Sequence, residues 1–396
     1  MAILPVAAEL ARRSVLTELN TATVSRYSRH ILLPEVGRDG QKRLQAARVL
    51  IVGAGGLGSP VALYLAAAGI GVLGLVDGDC VDASNLQRQV LYREADVGQP
   101  KVVAAAAALK QHNSAIEIEL HQEMLTPEKA LALVSAYDLV IDGTDNFPTR
   151  YMVSDACVLA GRPYIYGSIS RFAGQTAVFY PPHGPCYRCL FPTPPASGSV
   201  PNCAEGGVFG VLPGVIGSIQ ATETIKVLLG IGEPLLGRFL TYDALAMKWS
   251  ELRLRRDPKC QVCGDHPTIT SVTSVAASCE VVSSASVTDT SSLEISVDEL
   301  QQMRAQRVTH LLVDVRSAGE ASICQIKGSK LVPMSELPTR VDELPRDQRI
   351  VVYCKVGGRS SNAVKYLCEQ GFINARSLRG GVVAWIDSID GTLARY

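Results

Sequence analysis

Two C-x-x-C pairs stand far apart in the chain: Cys186 and Cys189 in "PCYRCLF", and Cys260 and Cys263 in "KCQVCGD". Together they offer four thiolates, the closed tetrahedral set of a structural zinc site. The interval between the pairs exceeds that of a compact zinc ribbon, so a shared ion clasps two distant segments. A redox pair or unlinked buried thiols are the alternatives. Cys203 follows "TPPASGSVPN" and precedes Glu205, Gly206 and Gly207. Loops carry chemistry on rigid scaffolds, but a lone loop cysteine is also compatible with an incidental residue. Cys354 differs in kind. In "RIVVYCKVGGRSSNAVKYL" it ends an apolar strand and opens a glycine loop leading into a helix. Loop amides and a helix N-terminus favour a thiolate there and can hold an anionic persulfide, and Arg359 adds positive charge. A cysteine-based phosphatase keeps one more residue between its Cys and Arg than the four found here, so this smaller ring suits one sulfur atom. Cys80, Cys157, Cys279, Cys324 and Cys368 are read as structural or incidental.

A second constellation lies near the start. "VGAGGLGSP" holds Gly53, Gly55 and Gly58 in G-x-G-x-x-G spacing, a pattern that lets the backbone turn tightly and approach a pyrophosphate at a helix N-terminus. Asp77 follows at the end of the next apolar run, placed to bond a ribose hydroxyl. Asn85, Arg88 and Lys101 come just beyond it. A nicotinamide site has little use for that polar, cationic set, whereas a triphosphate needs cations to balance its charge. "DLVIDGTDNFPTR" ends a further strand with Asp142 and Asp145, an expected perch for Mg²⁺.

These residues need elements to position them. "RVLIVGA", "VLGLVDGD", "IEIELHQ", "YDLVIDGTDN" and "PYIYGSIS" read as strands, with helices such as "SPVALYLAAAG" and "PKVVAAAAALKQH" between them. That alternation predicts an α/β fold, a Rossmann-like, mostly parallel sheet with helices on both faces. Residues 49–76 carry no charge and are long enough to span a bilayer, but their seven glycines and Pro60 divide them into a buried β-α-β unit. From 268 to 292 about half the positions are Ser or Thr, the composition of a linker with room for a short edge strand. Alternation then restarts as a smaller α/β domain, whose first helix is capped by Ser296 with Glu299 three residues on. The expected organisation is a helical arm at 1–30, a nucleotide-binding domain at 31–267, the linker at 268–292 and a second domain at 293–396.

Lys plus Arg and Asp plus Glu each number 38, giving zero formal charge, so no basic field recruits nucleic acid or anionic lipid. "MAILPVAAELARR" meets charge before a signal-peptide core develops and reads as a short amphipathic helix. Scattered cysteines favour a reducing cytoplasm over export.

"SRYSRHILLPEVGRDGQKRL", "GAGGLGSP", "DGDCVDASNLQRQ", "GQPK", "DGTDNFPTR" and "YGSISRFAGQ" together resemble the MoeB/ThiF family from about residue 24 to 266. The resemblance implies ATP-dependent adenylation of the C-terminal glycine of a small ubiquitin-like sulfur-carrier protein ending in Gly-Gly, as made by the MoaD/ThiS class. It implies that Gly56, Asp77, Ser84, Asn85, Leu86, Gln87, Arg88, Lys101, Asp145 and Asn146 contact ATP or its Mg²⁺. It also implies that Arg29 reaches a neighbouring subunit's site in a homodimer, that the four paired cysteines hold Zn²⁺, and that Cys203 is a reactive nucleophile. Residues 293–396, with "LLVDVRS", the Cys354 loop and "LRGGVVAWID", resemble a rhodanese domain. Many rhodaneses carry a histidine where Cys324 and Gln325 stand. The two resemblances together imply an adenylyltransferase and sulfurtransferase fed by a persulfide donor such as a cysteine desulfurase, or by thiosulfate. A tether of this length keeps its ends roughly 25–30 Å apart, an effective concentration on the order of millimolar. Passing the activated carrier to target proteins is the alternative within the family. A nicotinamide oxidoreductase or a binding protein with dead sites fits the polar constellation poorly.

Overall fold

A computed structural model of the chain describes residues 4–195, 206–273 and 293–396. They fall into two compact units divided between residues 273 and 293. Cys203 and Cys279 lie outside the described residues.

The first unit is built on an eight-stranded sheet of order β3-β2-β1-β4-β5-β6-β7-β8. Its strands are β1 Arg48–Val52, β2 Val72–Val76, β3 Glu117–His121, β4 Leu139–Asp142, β5 Tyr164–Ser170, β6 Ala173–Phe179, β7 Arg238–Asp243 and β8 Lys248–Arg253. β3 to β5 run parallel, as the strand–helix alternation predicts. β5 to β8 then form an antiparallel meander that the alternation does not announce, because β8 is exposed along its whole length and shows no apolar run.

Successive side chains of a strand face opposite sides, and β1 divides accordingly. Val49 and Ile51 join one core cluster, Leu50 and Val52 the other. All four are at most 2% exposed, so each of these side chains contributes ~1.5–3 kcal/mol. The first cluster packs helices Gly58–Ala68, Lys101–His112 and Leu212–Leu229 against the sheet. The second packs Pro127–Ser135 and Phe147–Ala160. The uncharged stretch 49–76 is therefore β1, one helix and β2, and no helix among the described residues is long and apolar enough to cross a membrane. The N-terminal helix Pro5–Arg13 is docked by Arg13, whose Nη1 donates to Asp138 Oδ1 at 3.0 Å.

The second unit is a five-stranded, all-parallel sheet of order β11-β10-β12-β13-β9. These strands are β9 Glu294–Ile295, β10 His310–Asp314, β11 Lys330–Leu331, β12 Arg349–Tyr353 and β13 Ala375–Leu378. Side chains along β12 again alternate: Ile350 and Val352 face one core, Val351 and Tyr353 the other. Ser296 caps helix Val297–Ala305 in a capping box with Glu299.

Candidate functional site

In the first sheet the strand order reverses between β1 and β4, and in open α/β sheets the crevice at such a switch point receives ligands. A glycine follows each strand there. Gly53 has φ +92°, and a Cβ on it would lie 2.7 Å from the Gly143 carbonyl. A Cβ on Gly143 would lie 2.3 Å from Gly53 O. The two loops thus touch backbone to backbone, which only glycines allow. Gly58 opens the following helix, and its own Cβ would meet Gly53 O at 2.0 Å.

Asp77, at the end of β2, ties this loop down: its carboxylate accepts from the amides of Ala54 and Asp79, each at 2.9 Å. Lys101 Nζ lies 3.8 Å from Asp77 and 2.8 Å from Asp79. Burial raises the Asp77 pKa above the usual carboxylate range, against the opposing pull of Lys101 and the two amides. Lys101 is therefore a buried, partnered cation rather than a free surface charge. Ser84 and Asn85 sit in a capped turn, where Asp82 accepts from Ser84 N at 2.8 Å and Oγ at 2.6 Å, and Asn85 Oδ1 accepts from Asp82 N at 3.2 Å. Arg88 is half-buried and donates to Ser84 O at 3.0 Å. A Cβ on Gly56 would come 3.2 Å from Pro213 Cγ and 3.8 Å from Arg88 Cγ, which brings the glycine loop and the arginine together. Gly55 approaches the buried Gln89 in the same way. Leu86 turns onto the core. Gln87 and Arg88, with Val90, Phe209, Gly210, Val211 and Gly214, line an open cleft of about 380 Å³.

The sequence paired Asp142 with Asp145 as metal ligands, and here the structure corrects it. Asp142 is fully buried and committed: it accepts from Thr144 N (2.9 Å) and Oγ1 (2.6 Å), Tyr164 OH (2.6 Å) and Arg150 Nε (3.0 Å). Asp145 alone stands exposed at the loop tip. Asn146 caps helix Phe147–Ala160 by accepting from Thr149 N at 2.9 Å. Arg150, which the sequence reading passed over, also donates to Thr144 O at 3.0 Å, so it staples the loop that presents Asp145. Gln220 reaches the same place from another helix, donating to Asp142 O at 2.8 Å. Burial disfavours the Arg150 charge, but Asp142 outweighs it and holds the guanidinium protonated. A basic residue inside the first turn of an apolar helix was the available signal.

Cys186, Cys189, Cys260 and Cys263 converge although they come from distant segments. Their sulfurs all lie within 4.8 Å of one another, with Sγ–Sγ distances of 3.8, 3.5 and 3.4 Å for 186–189, 186–260 and 189–263. Disulfide sulfurs sit about 2.05 Å apart, whereas four Zn–S bonds of about 2.3 Å in a tetrahedron separate sulfurs by about 3.8 Å. The donor set and spacing fit zinc. Hydrogen bonds among the sulfurs raise Cys186 and lower Cys260.

In the second unit Cys354 follows β12 and is 1% exposed. Its Sγ accepts from Gly357 N at 3.1 Å and lies 3.6 Å from Ser360 Oγ. Gly357, at φ +107°, begins helix Gly358–Glu369. Arg359 does not point at the sulfur as a lone charge: it makes a bidentate pair with Glu320 at 2.8 and 2.6 Å. Burial pushes the Glu320 carboxyl up, but Arg359 and the Ser317 amide outweigh it and hold it down at about 2. Behind the loop, Asp314 and Arg316 are fully buried and paired through 2.8 and 2.6 Å bonds. Cys324 is buried with its Sγ 3.7 Å from Arg316 Nη1.

Arg29 is exposed on the short helix Ser28–Ile31. Next to it Tyr27 is buried, accepting from Asn113 Nδ2 at 2.9 Å and filling the space over Gly69. That anchor leaves Arg29 facing away from its own core.

The first sheet and its crevice define a Rossmann-like nucleotide-binding protein, and the second unit a sulfur-carrying α/β domain. The chain belongs to the ThiF family, matched over residues 27–262, and carries a rhodanese-like domain matched over 296–388. It is 44% identical over 384 residues to the Mycobacterium tuberculosis probable adenylyltransferase/sulfurtransferase MoeZ, covering 96% of each chain. It is likewise 44% identical over 407 residues to the Bos taurus adenylyltransferase and sulfurtransferase MOCS3, covering 96% of this chain and 89% of that one. Among solved structures it is similar to Escherichia coli MccB crystallised with ATP, with a TM-score of 0.52 and 28% identity over 64% of this chain and 76% of that one.

Proposed function

We propose that the chain is an ATP-dependent adenylyltransferase and sulfurtransferase acting on the C-terminal glycine of a small ubiquitin-like sulfur-carrier protein. The observation that carries this reading is the pairing, in one chain, of a glycine crevice beside Arg88 with a buried cysteine in a sulfur-holding loop.

In the first step the carrier carboxylate attacks the α-phosphorus of ATP, the bond from that phosphorus to the α,β-bridging oxygen breaks, and pyrophosphate leaves with the electron pair. Gly53 to Gly58 let backbone amides approach the phosphates, and Asp77 offers its remaining lone pairs to the ribose. Arg88 and Lys101, with Ser84 to Gln87 and Asn146 around them, balance charge that grows on the phosphates. Asp145 is the residue that would hold Mg²⁺, which supplies further charge neutralisation. Arg29 completes the site of a second copy in a homodimer. The four clustered cysteines would hold Zn²⁺, whose part is structural.

In the second step the Cys354 thiolate takes the outer sulfur of a donor. With thiosulfate, its S–S bond breaks and sulfite leaves with the electron pair. The resulting persulfide attacks the acyl-adenylate carbonyl, AMP departs, and the carrier is joined to Cys354 by an acyl disulfide. The Cys203 thiolate then attacks the Cys354 sulfur, releasing the carrier thiocarboxylate and leaving a Cys203–Cys354 disulfide that a cellular thiol reduces. The Gly357 amide and Ser360 hydroxyl around Cys354 stabilise negative charge on sulfur at each stage.

The test is carrier-dependent exchange of labelled pyrophosphate into ATP. A carrier ending in Gly-Gly should support exchange, and one lacking its final glycine should not. Exchange that ignores the carrier would sink the reading.

A further inference from the structure

Lys355 of the sulfur loop meets, and Arg359 reaches through Glu320, a residue that the mechanism above does not use. The chain bends back after helix Gly381–Ser388. Asp390 Oδ1 accepts from Thr392 N at 3.2 Å and Oγ1 at 2.5 Å, and Leu393 and Tyr396 pack beside Trp385 and Ile386. The Tyr396 phenol lies 2.7 Å from Arg316 Nη1 and 3.1 Å from Glu320 Oε1. A guanidinium can only donate, so the phenol oxygen accepts from Arg316 and its proton points at Glu320. Glu320 in turn grips both terminal nitrogens of Arg359. Lys355 Nζ sits 4.6 Å from the centre of the Tyr396 ring, within cation–π range.

We propose that Tyr396 is a positioning residue for the sulfur loop: its hydroxyl locks the Glu320–Arg359 pair to the immobile Arg316, its ring seats Lys355, and the two cations so fixed admit an anionic sulfur donor to Cys354. This rests on the sulfurtransfer reading. Arg316 is a firm anchor because it is wholly buried and doubly bonded to Asp314. Without Tyr396, Lys355 loses its aromatic seat and Glu320 loses the phenol that ties it to that anchor, so the loop keeps its charges but not their placement. A donor carrying two negative charges senses that placement in binding before any bond changes.

The test uses the full chain with thiosulfate as donor and cyanide as acceptor, which takes the sulfur from the Cys354 persulfide as thiocyanate and regenerates the thiolate. Tyr396→Leu should raise KM for thiosulfate about tenfold with kcat nearly unchanged, and Tyr396→Phe, which keeps the ring, about threefold, the scale on which contacting residues couple. Lys355→Met should raise KM too, and the Tyr396→Leu/Lys355→Met double variant should be no worse than the poorer single variant. Unchanged KM in Tyr396→Leu, or strictly additive effects in the double variant, would overturn the proposal. So would a loss confined to kcat with a lowered melting temperature, which makes Tyr396 a packing residue only. Wild-type chain that forms no thiocyanate brings down the sulfurtransfer reading as well; wild-type turnover with an indifferent Tyr396→Leu brings down this inference alone.

Discussion

The chain uses one device twice, with opposite results. After β1 and after β12 a glycine loop joins a buried parallel strand to a helix N-terminus. A carboxylate–arginine pair braces each site: Asp142–Arg150 holds the loop after β4, which touches the first glycine loop, and Glu320–Arg359 holds the second glycine loop. In the first unit the pair lies outside the glycine loop and braces its neighbour; Asp145 stays exposed at the tip of that neighbour, and Arg88 lines an open cleft. In the second the arginine belongs to the loop itself, and the loop closes round a sulfur that is 1% exposed. The lesson is that the position of the arginine decides what the loop can hold: braced from outside it can accept a large polyphosphate, braced through its own cation it can shelter one sulfur atom.

The comparison can be broken most severely at the two reacting groups. Asp145→Ala should lower carrier-dependent pyrophosphate exchange by about 100-fold or more, and retained exchange would remove its metal assignment. Cys354→Ala should abolish sulfur transfer to the carrier while pyrophosphate exchange continues. Next come the braces. Arg150→Leu leaves Asp142 buried without its counter-charge, a cost of about 3–5 kcal/mol, which denaturant titration of the first unit's unfolding would read; a loss within measurement error would show that the pair does not brace the loop.

Glu320→Gln tests the second brace through pH. Because the folded carboxyl is depressed to about 2 from an ordinary value of 4.5, its contribution is fully present above pH 4.5 and is lost as pH falls through 2. That contribution is on the order of 3 kcal/mol. The stability gap between wild type and Glu320→Gln, followed by denaturant titration of the second unit, should therefore narrow between pH 4.5 and 2; a gap that widens there contradicts the pairing. The smallest effect is at Gly56. Alanine would put a methyl 3.2 Å from Pro213 Cγ, so ATP affinity should weaken by about a few fold with folding intact, as read by calorimetry.

Much of this was legible in the sequence because it is local. The glycine spacing, the strand that precedes it and the acid that ends β2 sit within one β-α-β unit, where periodicity and turn chemistry coincide. The Ser296 cap was legible for the same reason. The thiol cluster was legible from two matched pairs, although nothing in the spacing alone could show that they meet. The braces were not legible. Asp142 reads as a strand-end acid like Asp145, and only burial, with Tyr164 and Arg150 arriving from β5 and a helix, separates the committed carboxylate from the exposed one. Arg359 reads as a free cation until Glu320, a helix cap elsewhere in the sequence, is seen to hold it. Strand β8 escaped because a fully exposed strand at a sheet edge leaves little apolar pattern.

The most direct measurement of the whole account is the intact mass of a Gly-Gly carrier after incubation with the chain, ATP, Mg²⁺ and thiosulfate. The account predicts that the carrier gains one sulfur in place of one oxygen, only when ATP is present and only with Cys354 intact. A carrier whose mass never changes, or one that acquires sulfur without ATP, would contradict it.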